Sequence, residues 1–303
     1  MSLTDTNKID SPRASVIVVA FNSSDLLGRC LQALSSQPDS NVLDVLVVCK
    51  QPATCDQDLA QRFFKTRVLP VERSLTIPEM RLVGIRNAKA DIVALIEDDC
   101  MVGPAWLSSM LDAHNAGHRV VGGPVEAGDY SCGRDWAVYF CEYGRFGTPF
   151  SGQVSFLSGT NVSYRAEDMV NVKVGTGFEE VFFHETIIEQ GGSLFASADM
   201  LVTNQNKWKN RNCLSGAFHH GRAYAAKRFG SSLNGKRALY ALFSLFLPVI
   251  KTLRTLKSLH SSKRREIPLL TSVLWIFVFQ LSWSAGEFTG YLSGAGKSTE
   301  QWR

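Results

Sequence analysis

Three carboxylates in a row, Glu97-Asp98-Asp99, follow directly on the apolar stretch Ile92 to Ile96. Adjacent carboxylates repel one another unless a cation joins them, and oxygen-only ligands suit Mg2+ or Mn2+, cations that also bind phosphate. A second acidic group, Glu179, Glu180 and Glu185, lies in the segment GFEEVFFHETIIEQGG. A carboxylate there could take a proton from an attacking hydroxyl. It could equally do no more than complement the dipole at a helix N-terminus.

The elements that must position these groups alternate. Ser15 to Phe21 (SVIVVAF) is a short, β-branched apolar run, as expected of a strand buried on both faces. Asn22-Ser23-Ser24 then offers capping residues, and Leu26, Leu27, Cys30, Leu31 and Leu34 recur at helical spacing. Val42 to Val48 repeats the strand pattern and Asp56 to Phe64 the helix. Thr76 to Glu79 is a capping box that opens a helix through Asn87. Asp91 to Ile96 is a further strand, a helix carrying Trp106 to Leu111 follows Pro104, and Arg119 to Val121 closes the series. Strands alternating with helices predict a mainly parallel sheet covered on both faces. In such sheets ligands bind beyond the carboxyl ends of the strands, where both Asn22 and the acidic triplet fall. Further on, a helix from Glu179–Glu180 to Gln190 stops at Gly191-Gly192, and short strands span Ser193 to Ala196 and Met200 to Thr203.

Charge divides the chain. Up to Asn206 there are 16 Lys+Arg against 25 Asp+Glu; from Lys207 onward there are 16 against 3. A block this basic faces something anionic, here an acidic lipid surface or phosphates, and no feature points to nucleic acid. Leu214 to Phe229 reads as a basic helix. Ala238 to Ile250 is apolar and runs on into leucines interleaved with Lys251, Arg254 and Lys257, an interfacial signature. Ile267 to Trp283 is a second apolar run, marginal in length for a span. A simple hairpin of the two would place the basic link outside, against the positive-inside rule, so the first is expected in the interface or re-entrant. The seven cysteines are scattered without a CxxC pair, which predicts reduced thiols, and the polar N-terminus reads as no signal sequence.

The stretch IVALIEDDCMVGPAWL resembles the acidic donor-site region of family 2 glycosyltransferases, which have a GT-A fold. SVIVVAFNSSDLLGRCLQALSSQ resembles their first nucleotide-binding strand, turn and helix, GIRNAKA the lead into the triplet, LSGTNVSYR an acceptor-side segment, and GFEE the catalytic acidic motif. The likeness covers about residues 13–205 in consistent order. It implies an inverting transfer from a nucleotide sugar, with UDP the commonest nucleotide in the family. Asp99, with Glu97 outside it, would hold Mn2+ or Mg2+, and Asp98 would lie by the ribose or metal. Ala20, Phe21 and Asn22 would line the donor, and Gly159, Thr160 and Asn161 the acceptor. Transfer of the family pattern favours Glu180 as the base, then Glu179, then Glu185. Two departures stand out: Cys49-Lys50 occupies the end of the second strand, where an aspartate usually reads the base, and Asn204 stands where a histidine often follows. Either the metal lacks that ligand, or His219 or His220 would replace it. Arg222 and Arg81 are candidate diphosphate clamps, since guanidinium binds phosphate bidentately.

The organisation expected is a flexible 1–12, a catalytic domain 13–212 with donor half 13–123 and acceptor half 124–212, and a membrane-associating helical region 213–303. The acceptor would be lipid-linked or a membrane-proximal glycan, at the cytoplasmic face of the inner membrane. A polyisoprenyl-phosphate glycosyltransferase and a silent nucleotide-sugar-binding or membrane scaffold are the alternatives. A dinucleotide oxidoreductase is excluded, because no GxGxxG follows the first strand.

Overall fold

The computed structural model describes residues 11–21, 23–50, 63, 66–170, 177–206, 210–229, 235–261 and 267–301. In chain order these form β1 (Ala14–Ala20), α1 (Ser24–Ser35), β2 (Leu43–Lys50), β3 (Thr66–Val71), α2 (Ile77–Asn87), β4 (Ile92–Glu97), β5 (Cys100–Val102), α3 (Trp106–Asn115), β6 (Val120–Gly122) and β7 (Val125–Ala127). There follow α4 (Gly133–Glu142), β8 (Gly152–Val154), β9 (Asn161–Arg165), α5 (Ala166–Met169), α6 (Glu180–Glu189), β10 (Leu194–Ala196) and β11 (Val202–Asn204). Four helices close the chain: α7 (Asn210–Phe229), α8 (Gly235–Ser244), α9 (Leu247–Ser261) and α10 (Leu269–Ser293). The helix expected over Asp56 to Phe64 lies outside the described residues apart from Phe63. Two compact units result. One comprises 1–73, 78–123 and 151–202, the other 74–77, 124–150 and 203–303. Residues 124–150, grouped in sequence with the acceptor half, thus go with the C-terminal helices.

The first unit is built on an eight-stranded sheet in the order β3-β2-β1-β4-β9-β6-β10-β8. β3, β2, β1 and β4 are parallel, as is β10 to β6; β9 runs antiparallel between β4 and β6, and β8 antiparallel at the edge. The mainly parallel sheet expected from the sequence is therefore present, with two reversed strands. Every residue of β1 is buried, which accounts for its unbroken β-branched run. Each such Val or Ile side chain contributes roughly 1.5–3 kcal/mol by leaving water. Leu27, Cys30, Leu31 and Leu34 form the buried stripe of α1, whose first turn is capped by the Ser23 hydroxyl accepting from Leu26 N–H. Helix α2 lies hard against β1. A Cβ on Gly84 would collide with Ile17, so only glycine permits this approach.

The register fixes which ends meet. Val19 of β1 is level with Glu97 of β4, and Ala20 with Cys49 of β2. Because β9 is reversed, its first residue, Asn161, pairs with Ile96. The segment leading into β9 therefore arrives at the carboxyl end of β4. Cys49 is disulfide-bonded, which corrects the expectation of thiols throughout, whereas Cys30, Cys100, Cys132, Cys141 and Cys213 remain reduced.

The second unit is helical. α10, the helix within it that is long and apolar enough to cross a bilayer, measures about 37 Å at 1.5 Å per residue. It packs on α7 through glycines: a Cβ on Gly221 would strike the Trp283 carbonyl, and one on Gly286 the Phe218 carbonyl. Tyr130, Trp136, Tyr139 and Phe140 form an aromatic cluster with Leu259 and Ile276. The apolar run Ala238 to Ile250 is not one continuous helix. It divides between α8 and α9, whose axes differ by 59°. Pro248 explains the division, since its ring excludes the carbonyl four residues back and it donates no hydrogen bond.

Candidate active site

The acidic triplet closes β4. Asp98 and Asp99 are each only 1% exposed and Glu97 is also buried. The Asp98 backbone N–H donates to the Val19 carbonyl at 3.3 Å, and the Phe21 N–H donates to Asp98 Oδ2 at 3.1 Å. Asp98 thus holds the chain where it leaves β1, at Phe21 and next to Ala20, two of the residues expected to line the donor. Asn22 lies outside the described residues. Cys100 Sγ donates to Asp99 Oδ1 at 3.4 Å.

Facing the triplet is the start of α6. Phe178 N–H donates to the Pro78 carbonyl in the first turn of α2, at 2.8 Å, which ties the GFEE segment to that helix. One turn along α2, Arg81 points both ways. Its Nη2 donates to Glu97 Oε1 at 3.1 Å and its Nη1 to Glu180 Oε2 at 2.5 Å. Burial works against the guanidinium charge, and Glu180 and Glu97 more than offset it, so its pKa rises. Burial pushes the Glu97 carboxyl up despite Arg81. Burial also pushes Glu180 up, but Arg81, the Glu180 N–H and His184 outweigh it, leaving this carboxyl below the usual range.

Glu180 rests on Gly159, where a Cβ would collide with its carboxylate. Behind it, Tyr164 and His184 are hydrogen-bonded at 2.9 Å, and Phe178 and Phe183 pack edge-on against Tyr164. Burial lowers the His184 pKa to about 4, so its ring is neutral.

Most of the residues assigned from sequence to the donor, metal and base converge here: Ala20, Phe21, Arg81, Glu97, Asp98, Asp99 and Glu180. Glu179 is the half-buried N-cap of α6, while Glu185 is exposed on its outer face. Gly159 lies against the Glu180 carboxylate. Thr160 shares a hydrogen bond with Ser158 at 2.9 Å. Asn161 is fully buried, accepting from Trp106 Nε1 at 2.8 Å and donating to the Met200 carbonyl at 2.6 Å. Its polar atoms therefore brace β9. His219 and Arg222 belong to α7 in the second unit. There His219 Nδ1 shares a hydrogen bond with Ser298 Oγ at 3.0 Å, and Arg222 Nε donates to the Gly294 carbonyl at 2.8 Å. Asn204, also in that unit, accepts from the Tyr130 hydroxyl at 2.7 Å. Sequence reasoning missed Tyr164 and His184; the signal for the second was its helical i+4 spacing from Glu180.

Among the described residues no three His, Cys, Asp or Glu side chains form a cluster that could hold a metal alone. Mg2+ and Mn2+ commonly take one or two carboxylates and complete their shell with substrate phosphates. Asp98 and Asp99 fit that mode. Glu97 commits an oxygen to Arg81 instead.

A family model described as "Glycosyl transferase family 2" matches residues 15–170. A putative glycosyltransferase, EpsH, of Bacillus subtilis (strain 168) is 24% identical over 107 residues, 34% of this chain; the chain spans 30% of that relative's length. The mannosyltransferase PcManGT from Pyrobaculum calidifontis, solved in complex with GDP-Man and Mn2+, superposes with a TM-score of 0.57 at 14% identity. That match covers 92% of this chain and 87% of the other.

Proposed function

The chain belongs to glycosyl transferase family 2 and has the GT-A fold, and from that premise we propose that it is an inverting, metal-assisted glycosyltransferase. It moves a sugar from a nucleotide-sugar donor to a hydroxyl of a lipid-linked or membrane-proximal acceptor. The observation that carries this reading is that Glu180 faces the end of β4 across a single guanidinium, that of Arg81.

Asp99, with Asp98, is the ligand pair for Mn2+ or Mg2+, which when bound neutralises charge developing on the departing nucleoside diphosphate. The GDP-Man and Mn2+ of the structural neighbour support a metal and a sugar nucleotide of this kind. Asp98 also fixes the donor-side turn through Phe21 N–H. Glu180, its pKa lowered and its carboxyl therefore ionised at neutral pH, accepts the proton of the acceptor hydroxyl. The acceptor oxygen bonds to the anomeric carbon as the bond to the diphosphate oxygen breaks, inverting configuration. General-base assistance of this kind is worth about 10²–10⁴-fold.

The second unit supports the membrane part of the reading, at the cytoplasmic face. Leu242 and Phe246 of the α8–α9 pair are 60% and 64% exposed, with Leu253 beside exposed Arg254 and Lys257. An apolar face bordered by cations suits an anionic bilayer surface.

Thermal shift with UDP-glucose, UDP-N-acetylglucosamine, UDP-galactose and GDP-mannose, with and without Mn2+, tests the donor; stabilisation should need the metal. Donor hydrolysis should be lost in Asp99→Ala and fall about 10²–10⁴-fold in kcat in Glu180→Gln. Full activity in either variant would sink the assignment.

A further inference from the structure

Arg81 reads in sequence as a clamp on the donor diphosphate, and its placement argues otherwise. Its side chain is 9% exposed, and its two terminal nitrogens are given to carboxylates on different elements, Glu97 on β4 and Glu180 on α6. Two of its five N–H donors are taken by carboxylates whose charge offsets its own, so a phosphate would meet a neutralised and nearly closed group. Its helix is held from two sides, by Gly84 on Ile17 and by the Pro78 carbonyl on Phe178 N–H. The fork is thereby fixed in place before any substrate arrives.

We propose that Arg81 is a positioning residue that aims the Glu180 carboxylate at the acceptor and ties it to the strand carrying the donor-side acids. The proposal rests on Glu180 being the base. One Glu180 oxygen is bonded by Arg81, and the carboxyl lies against Gly159, which leaves the group a single setting. The second arm, on Glu97, makes that setting depend on the end of β4. Arginine suits this task and lysine does not, because only a planar fork reaches two carboxylates at fixed angles.

The test is a mutant cycle on the full chain, read by steady-state hydrolysis, with Mn2+, of whichever of UDP-glucose, UDP-N-acetylglucosamine, UDP-galactose and GDP-mannose is turned over fastest. Arg81→Met should lower kcat about 10²-fold with donor KM changed less than about threefold. Arg81→Lys should recover roughly a tenth of kcat, since it keeps one arm. In a Glu180→Gln background, Arg81→Met should cost almost nothing more, because Arg81 acts through the group already removed. If Arg81→Met does not fold, the same cycle with Arg81→Lys decides. A raised KM at unchanged kcat would return Arg81 to the diphosphate, and losses that multiply in the double variant would overturn positioning. Should Glu180→Gln alone retain full kcat, the base assignment fails first, an outcome distinct from either.

Discussion

In the first unit most large apolar side chains are inside and buried acids gather at the end of β4, where Glu97, next to Asp98 and Asp99, meets Arg81. The second unit is arranged the other way. Leu242, Phe246, Leu253, Leu270 and Leu274 face outward, while Glu287 is buried in the last third of α10. It accepts from Trp283 Nε1 at 2.6 Å, from Lys251 Nζ at 3.4 Å and from the Tyr291 hydroxyl at 3.3 Å. A unit that buries this carboxylate and shows hydrocarbon beside exposed cations such as Arg254 and Lys257 is suited to an apolar surface carrying negative charge. A unit that hides its hydrocarbon and concentrates carboxylates is suited to a charged ligand. Composition alone, averaged over the chain, conceals this contrast.

The contrast breaks most sharply if the outward face is made polar. Replacing Leu242, Phe246 and Leu253 together by glutamine should lower partition onto phosphatidylglycerol-containing vesicles by about 10³-fold or more, given roughly 1.5–3 kcal/mol per large side chain. Vesicle co-sedimentation reads the loss, and an unchanged melting curve in detergent would show that only the docking face was altered. Equal sedimentation of variant and wild type would remove the lipid reading.

The first unit has an acid weakness the second need not share. Burial lowers the pKa of His114 to about 4, and that of His184 to the same value, so both are neutral when folded. Between the ordinary value of 6.5 and about 4, the unfolded chain takes up protons that the folded one refuses. Stability is thus complete above pH 6.5 and falls with acidification, by about 3 kcal/mol for each ring at most. Urea titrations at pH 7 and 4.5 measure the fall, and in His114→Gln the slope should be shallower. A slope unaffected by that substitution would contradict the neutral, buried ring.

Smaller effects sharpen the picture. Gly84→Ala presses α2 off β1 and should cost about 1–3 kcal/mol. Because Arg81 rides on that helix, donor hydrolysis should fall by more than the lost stability explains; activity tracking the folded fraction alone would separate the helix from the site. Comparable in size, Glu287→Gln keeps the shape but removes one charge of a largely buried pair. A loss of about 1–3 kcal/mol in detergent is expected, from leaving Lys251 unbalanced.

Much of the sheet up to β6 was legible because its signals are local. β1, β2 and β4 announce themselves as apolar runs, α1 by its stripe, and the acids by standing at a strand end. The reversed insertion of β9 between β4 and β6 was not legible, since NVSYR carries no information about which neighbours it takes. The joint roles of Arg81 were hidden for a related reason: its partners are 16 and 99 residues away. The division of Ala238 to Ile250 was written in Pro248, but the continuous apolar pattern around it masked the signal.

The main-chain contact between α7 and α10 has a mechanical corollary. Where Gly221 meets Trp283 and Gly286 meets Phe218, no side chain is interposed to act as a bearing. Neither rod can roll or tilt without dragging its neighbour. The apolar helix therefore travels together with a companion bearing Lys227 and Arg228 in its last turn, and the pair is expected to engage a bilayer in one cooperative event instead of by degrees.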